Sequence, residues 1–465
     1  MLQTLINVFR IKELRNRVLF TLGMLVVFRI GHWIPLPGVN QERLKEIMDQ
    51  SREAGTALAR VADFVSMFSG GQLSHSTLFG LGIMPYITAG IIFQLLGTTL
   101  PQLKRLRDEG PSGRAKIMEW TRYATILLCV VQSIGYLTFL INEKLVYPEW
   151  ASTPIWWVMS ITAMTAGTMF LMWLGEQIDK HGIGNGVSLI IMAGILGGAP
   201  RAVNWITANF SPGDASKMGW MGVIVLAGCF FSVVLAAVTM TVAQRRIPIQ
   251  QAKHTRGRKV FGGQRSYLPL RINHGGVMPI IFASSLMIFP TLIFDQLHSA
   301  IQANAGGSGT WGVITNMLAH NFKPGAYFYV ILMIVMVYFF SFFWITVQFN
   351  PEEMSKQLKE SGSFIPGLRP GPRTAEYLET VMGRITFVGA GFLAIIAVLP
   401  AVLGSALKID YSVSQFLGGT GLLIVVSVVI DFLQRIEANL LMRNYAGFLG
   451  SGEDARGPRM RGSRA

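Results

Sequence analysis

The sequence predicts an all-α polytopic membrane protein with ten transmembrane helices in two inverted five-helix halves. Three observations predict it. The first is composition: 51% of the 465 residues are hydrophobic and only 14% are charged, where soluble domains carry about a quarter charged residues. The second is length. Uncharged runs of the size that crosses a bilayer, about 20 apolar residues, recur along the chain. The third is an internal echo: residues 82–89 read GIMPYITA and residues 276–283 read GVMPIIFA, identical at five of eight positions. Both lie in the second span of their half. A half of five spans begins and ends on opposite sides of the membrane, so the second copy runs upside down. An inverted repeat puts its functional site between the halves, near the midplane.

The chain opens with a basic amphipathic segment, 1–17, whose apolar stretches are too short for a cleavable signal peptide, so it is expected to be retained. Spans follow near 18–36, 76–96, 118–140, 154–174 and 185–203, which make the N-terminal half, 18–203. The fifth opens on Gly182, Gly184 and Gly186, and its apolar run ends at Pro200. Spans near 219–242, 275–295, 326–348, 382–403 and 413–433 make the C-terminal half, 219–433. The tail, 434–465, ends in RGPRMRGSRA and has the composition of a disordered basic end. Between the first two spans, residues 63–73 are apolar on one side and too short to cross, and Gly70–Gly71 then breaks the run before the uncharged stretch Thr77–Leu96. Such a piece reads as a plug-like insert or as a re-entrant or interfacial segment that only packs.

The net charge is +15. Most of the 40 Lys and Arg fall on one face, in the N-terminal segment, the loops 97–117, 175–184, 244–274 and 349–384, and the tail. The excess of positive charge on cytoplasmic loops places both termini in the cytoplasm and the plug-like piece on the far side. The loop 244–274 carries Arg245, Arg246, Lys253, Arg256, Arg258, Lys259, Arg265 and Arg271 and no acid. That exceeds what topology needs, and suggests docking onto ribosomal RNA, anionic lipid or an acidic protein face. The loop 349–384 mixes signs, and Pro366, Pro370 and Pro372 stiffen its FIPGLRPGPR core.

Catalytic chemistry is not visible. The chain has no H-E-x-x-H and no phosphate-binding loop before a Lys-Ser or Lys-Thr pair, and its histidines are scattered. Cys129 and Cys229 fall inside spans without disulfide or metal spacing. Neither enzyme activity nor a cofactor is expected. Glu176 and Asp431 sit only at cytoplasmic span ends, and the span centres are aliphatic, glycine or small polar. A pathway lined this way would not bind an ion, but could pass an extended polypeptide and dewet when empty. The competing reading is an ion-coupled secondary transporter for a small solute, which also fits inverted halves but usually needs buried carboxylates.

Several motifs, in order over residues 9–445, then become specific: FRIGHWIPLPG (28–38), FVSMFSGGQLS (64–74), GIMPYI (82–87), GTMFLMWLGEQIDKHGIGNGVSLII (167–191), RRIPIQ (245–250), FNPEEMSKQLKESGSFIPGLRPG (349–371) and GGTGLLIVV (418–426). On these the sequence resembles the SecY/Sec61-alpha family of protein-conducting channels. The resemblance implies a central pore between the halves, through which signal-bearing unfolded polypeptides cross the bacterial cytoplasmic (inner) membrane. It places an aliphatic pore ring at Ile83, Ile87, Val187, Ile191, Ile281 and Ile424. It places a plug at Phe64, Met67 and Phe68, hinged at Gly70 and Gly71. A lateral gate between the second and third spans and the seventh and eighth would release hydrophobic segments into lipid. Arg246, Arg258, Lys259 and Arg369 match partner-binding positions for the SecA ATPase or a ribosome. SecE and SecG would complete the membrane complex, with SecDF, YidC, anionic lipids, signal sequences and nascent chains as further partners.

Overall fold

The computed structural model describes residues 11–449 except 54–75, 152, 212–218, 252–253, 257–258, 262–264, 285, 288–289, 291–292, 295–296, 298–309, 323–325, 408–415 and 417–418. Helix α1, Lys12–Gly31, is stopped where the chain needs to turn. Gly31 lies directly against the Phe79 ring, leaving no space for a side chain, and Pro35 and Pro37 cannot donate helical hydrogen bonds. The first span, expected over 18–36, is therefore helical only to Gly31, and a bridge pairs Pro35 with Thr77. Helix α2, Gln41–Glu53, was not anticipated. It buries Leu44 in a cluster with Leu36, Leu137, Leu145 and Trp156, whose Nε1 donates to the Pro37 carbonyl at 2.9 Å.

The second span, expected over 76–96, is also corrected. Helix α3 runs Met84–Thr99, and its 16 residues give about 24 Å, short of a hydrocarbon core of about 30 Å. Residues 76–83 form turns instead, closed by Gly80 N–H to the Thr77 carbonyl and Gly82 N–H to the Phe79 carbonyl. Non-helical backbone survives at membrane depth only when protein covers it, and Ser76, Thr77, Phe79 and Ile83 are all buried.

Helix α4, Pro101–Asp108, leads to α5, Pro111–Asn142, and α6, Pro154–His181. One face of α5 repeats every four residues: Thr121, Thr125, Cys129, Ser133 and Leu137 are buried. On α6 the buried set includes Ser160, Gly167 and Thr168. Small side chains let helices approach closely where lipid supplies no hydrophobic drive. Arg122 of α5 donates to Glu176 of α6 at 2.6 Å.

The fifth span, expected over 185–203, is broken. Helix α7, Gly186–Leu196, stops at Gly197–Gly198, and α8, Ala199–Asn209, resumes. The entry to α7 is tightly specified. The Asn185 side chain caps Ser188 N–H at 3.0 Å, and Asp179 Oδ1 accepts from Gly186 N–H at 2.7 Å. A Cβ on Gly186 would run into the Gly175 carbonyl, backbone against backbone. Gly186→Ala is expected to destabilise the protein by about 1–3 kcal/mol, read as a lower melting temperature in detergent.

Helix α9, Trp220–Val242, leads into a sheet built from the loops 244–274 and 349–384. Strand β1, Gln244–Gln251, pairs antiparallel with β4, Arg265–Arg271, and β2, His254–Arg256, pairs with β3, Lys259–Phe261. A helical stretch opens at Met278. Then come α10, Thr310–Asn321, α11, Tyr327–Gln348, α12, Pro351–Glu360, the short β5, Ser363–Phe364, α13, Pro372–Leu407, and α14, Thr420–Leu449. α11 and α13 pack through Met333, Val337, Leu393 and Ile396. Among the described residues five helices are long and apolar enough to span a membrane, beginning at Pro111, Pro154, Trp220, Tyr327 and Pro372. α3 and α7 are apolar but shorter, and α1 and α14 interrupt their apolar runs with Arg29 and with Asp431 and Arg435.

Candidate functional site

All six residues expected in the constriction lie in one apolar cluster. Ile83, Ile191, Ile281 and Ile424 are buried within it, and Ile87 and Val187 pack on it half-buried. They come from four separated segments: the N-cap and first turn of α3, the first half of α7, the helical stretch after Met278, and the start of α14. Phe28, Phe79, Leu171, Leu174, Leu189 and Ile195 back them. Among the described residues the buried polar groups are hydroxyls and His32, with no carboxylate, lysine or arginine. Such a cluster offers no group to coordinate an ion. Apolar packing of this kind excludes water, and apolar burial has no preferred direction.

Local geometry explains how two of the segments arrive. Gly82 and Gly276 both adopt left-handed backbone, φ +58° and +62°. Such φ is strained for most residues and free for glycine. Two residues on, each helix begins at a methionine followed by proline, Met84–Pro85 and Met278–Pro279. The proline pre-sets a helical first turn without costing a needed donor. Ile87 N–H then bonds the Ile83 carbonyl at 3.1 Å, and Ile281 N–H bonds the Val277 carbonyl at 3.2 Å. The eight-residue echo is thus a repeated backbone motif, and Ile83, Ile87, Val277 and Ile281 all join the cluster.

The plug and hinge residues, Phe64, Met67, Phe68, Gly70 and Gly71, lie outside the described residues, as does Arg258. Arg246 is exposed on β1, Lys259 lies on β3, and Arg369 is exposed after the Pro366–Gly367 turn. One feature of this face was missed by sequence reasoning. β5 from the second loop pairs with β1 from the first, Gln250 opposite Phe364 and Gln251 opposite Ser363, giving a three-stranded sheet ordered β4–β1–β5. Ile247 and Leu270 anchor it on Ile345, Phe349, Leu378 and Met382. The two loops are one platform. The available signal was the alternation in RRIPIQQ, where Ile247 and Ile249 are buried between exposed neighbours.

His274, the last residue before the seventh span, stacks edge-on against Phe349, ring centroids 5.9 Å apart. Burial, and then the nearby Arg271 charge, hold its imidazole below the usual histidine value.

Comparison with known proteins gives a consistent result. A family model described as SecY matches residues 77–433. The protein translocase subunit SecY of Chlamydia muridarum is 40% identical over 460 residues, covering 96% of this chain and 98% of the relative. That of Escherichia coli strain K12 is 40% identical over 442 residues, covering 94% of each. Among solved structures, a protein-conducting channel aligns with a TM-score of 0.57 at 20% identity over 93% of this chain and 94% of its own. The Sec61 chain of a canine ribosome–channel complex aligns with 0.56 at 18% identity, with the same coverage. These two likenesses describe the fold.

Proposed function

Because the chain belongs to the SecY family, we propose that it is the channel subunit through which signal-bearing, unfolded polypeptides cross the cytoplasmic membrane. One observation carries the reading: six aliphatic side chains from four segments converge in a single uncharged cluster. In this account the ring of Ile83, Ile87, Val187, Ile191, Ile281 and Ile424 closes the pore at rest and parts around a threading chain. The segment 63–73 is the plug beneath it, swinging on Gly70 and Gly71. The seam between the second and third spans on one side and the seventh and eighth on the other is the lateral gate. A signal sequence with an apolar core of about 7–15 residues gains by sitting there, partly in lipid. An apolar segment of about 20 residues leaves sideways as a membrane helix.

The chain has no phosphate-binding loop, so the energy comes from outside. A SecA-type ATPase or a translating ribosome docks on the β4–β1–β5 platform through Arg246, Arg258, Lys259 and Arg369. SecE and SecG complete the membrane complex. Both termini face the cytoplasm of a bacterial cell, and the halves 18–203 and 219–433 flank the pore.

The test is crosslinking. A cysteine at Ile87 or at Ile281, with a secretory precursor stalled midway in vesicles, is expected to crosslink the precursor. A cysteine at Ile396, buried between α11 and α13, is not. A precursor that never reaches either ring position overturns the assignment.

A further inference from the structure

Arg29 is the one charge in the apolar run from Val18 to Ile30. A guanidinium at such a position is costly unless it meets water or a polar partner. α1 sets it against the break between α7 and α8. A Cβ built on Gly197, the C-cap of α7, would lie 2.7 Å from Arg29 Nη1 and 3.3 Å from Arg29 Cζ. The guanidinium therefore rests on the C-terminal end of α7, where carbonyls without helical partners gather partial negative charge that favours a cation. Glycine at 197 is what lets it come so close.

The same helix also holds the turn that leads into α7. Eight residues before Arg29, Thr21 Oγ1 accepts from Ile183 N–H at 3.2 Å and donates to the Arg17 carbonyl at 2.9 Å. Eight helical residues rise about 12 Å, so the two grips are spaced along α7 rather than stacked at one point. Between them Met24, Leu25 and Phe28 pack into the cluster that contains Leu189, Ile190, Ile191 and Ile195. The helix held this way carries Val187 and Ile191.

We propose that Arg29 is a positioning residue. Its guanidinium, docked at Gly197, fixes α7 at the height where Val187 and Ile191 close the constriction. This rests on reading the cluster as the channel constriction.

The test is the resting ion conductance of the reconstituted membrane complex, with protein amount in the membrane measured alongside. Arg29→Met is expected to raise resting conductance about fivefold, while Arg29→Lys, which keeps a cation there, recovers much of the seal. Gly197→Ala leaves the arginine in place but pushes it from its seat, and is expected to leak to a similar degree. The double variant Arg29→Met/Gly197→Ala then leaks no more than either single one, because both remove the same contact. If Arg29→Met fails to accumulate, Arg29→Lys and Gly197→Ala carry the comparison. Wild-type conductance in Arg29→Met or Gly197→Ala, or simple multiplication of the two effects in the double variant, overturns the assignment. Precursor crosslinking at Ile87 and Ile281 separates the two readings. If it succeeds while the Arg29 and Gly197 variants stay tight, only this inference falls; if it fails, the channel reading falls first.

Discussion

Replacing Ile83 and Ile281 together by glycine is expected to make the resting channel leak ions. Ile83 is fully buried and Ile281 8% exposed, and they meet in one cluster from opposite halves of the chain. Stripping both side chains removes apolar wall and leaves a void that the surrounding helices fill only in part. Each large-to-small change in such packing costs about 2–5 kcal/mol. If about 3 kcal/mol of the total bears on the closed arrangement over the open one, the open fraction rises about a hundredfold. A serine pair should behave similarly, since its hydroxyls also favour water in the gap. The control is Ile396→Gly, 2% exposed and packed between α11 and α13. It should lower stability by a similar amount without a leak. The measurement is single-channel or vesicle ion conductance without precursor. Unchanged conductance in the double variant would mean that the cluster is ordinary packing.

The parts of this fold legible in the sequence were those that local physics dictates. Helices α5, α6, α9, α11 and α13 were visible because a hydrocarbon solvent demands long uncharged runs. The echo at 82–89 and 276–283 was legible because a left-handed glycine followed by Met-Pro is a local instruction. Both copies obey it, down to matching hydrogen bonds at Ile87 and Ile281. The errors have one origin. Hydropathy cannot tell an apolar residue that faces lipid from one that faces protein. Residues 76–83 are apolar enough to join a span, yet they turn, because Phe79 and Ile83 are covered by other parts of the chain. α7 breaks at Gly197–Gly198 for the same reason: neighbouring protein covers a short, interrupted helix that lipid would not tolerate.

Long-range pairings were invisible in a different way. Arg122 could be placed within the limits of the third span and Glu176 at a span end, but their 2.6 Å contact depends on how α5 meets α6. The β1–β5 pairing joins two loops separated in sequence by the helical stretch that opens at Met278 and by α10 and α11. The convergence of the six ring residues is also non-local. The resemblance named them, while the residues alone said only that they were bulky and uncharged.

Reversing the charge at Arg369 is expected to stop motor-driven transport while leaving the resting seal intact. The residue is presented rather than merely exposed. Leu368, just before it, packs on the cluster that contains Ile247, Leu270 and Leu378. Its own carbonyl accepts from Thr374 Oγ1 at 3.0 Å, and two residues on the Gly371 carbonyl accepts from Ser355 Oγ at 2.7 Å. Gly367 and Gly371 take left-handed backbone, φ +87° and +128°, so the turn is held in a form that other residues resist. The backbone is thus pinned on both sides of a free-standing guanidinium. A partner that pairs with it avoids most of the ordering cost that a floppy loop would impose. Losing one side of such a charge pair costs about 2–5 kcal/mol, and Glu adds repulsion. Arg369→Glu should therefore lower ATPase-driven translocation at least about thirtyfold, scored by protease protection of a signal-bearing precursor in vesicles. Arg369→Lys should fall between, because an ammonium cannot reproduce a planar, two-pronged contact. Gly371→Ala keeps the guanidinium but strains its support, and should give part of the same loss. Because Arg369 lies in the loop 349–384 and not in the apolar cluster, resting conductance should match the wild type in all three. Wild-type translocation by Arg369→Glu would overturn its assignment as a partner-docking residue.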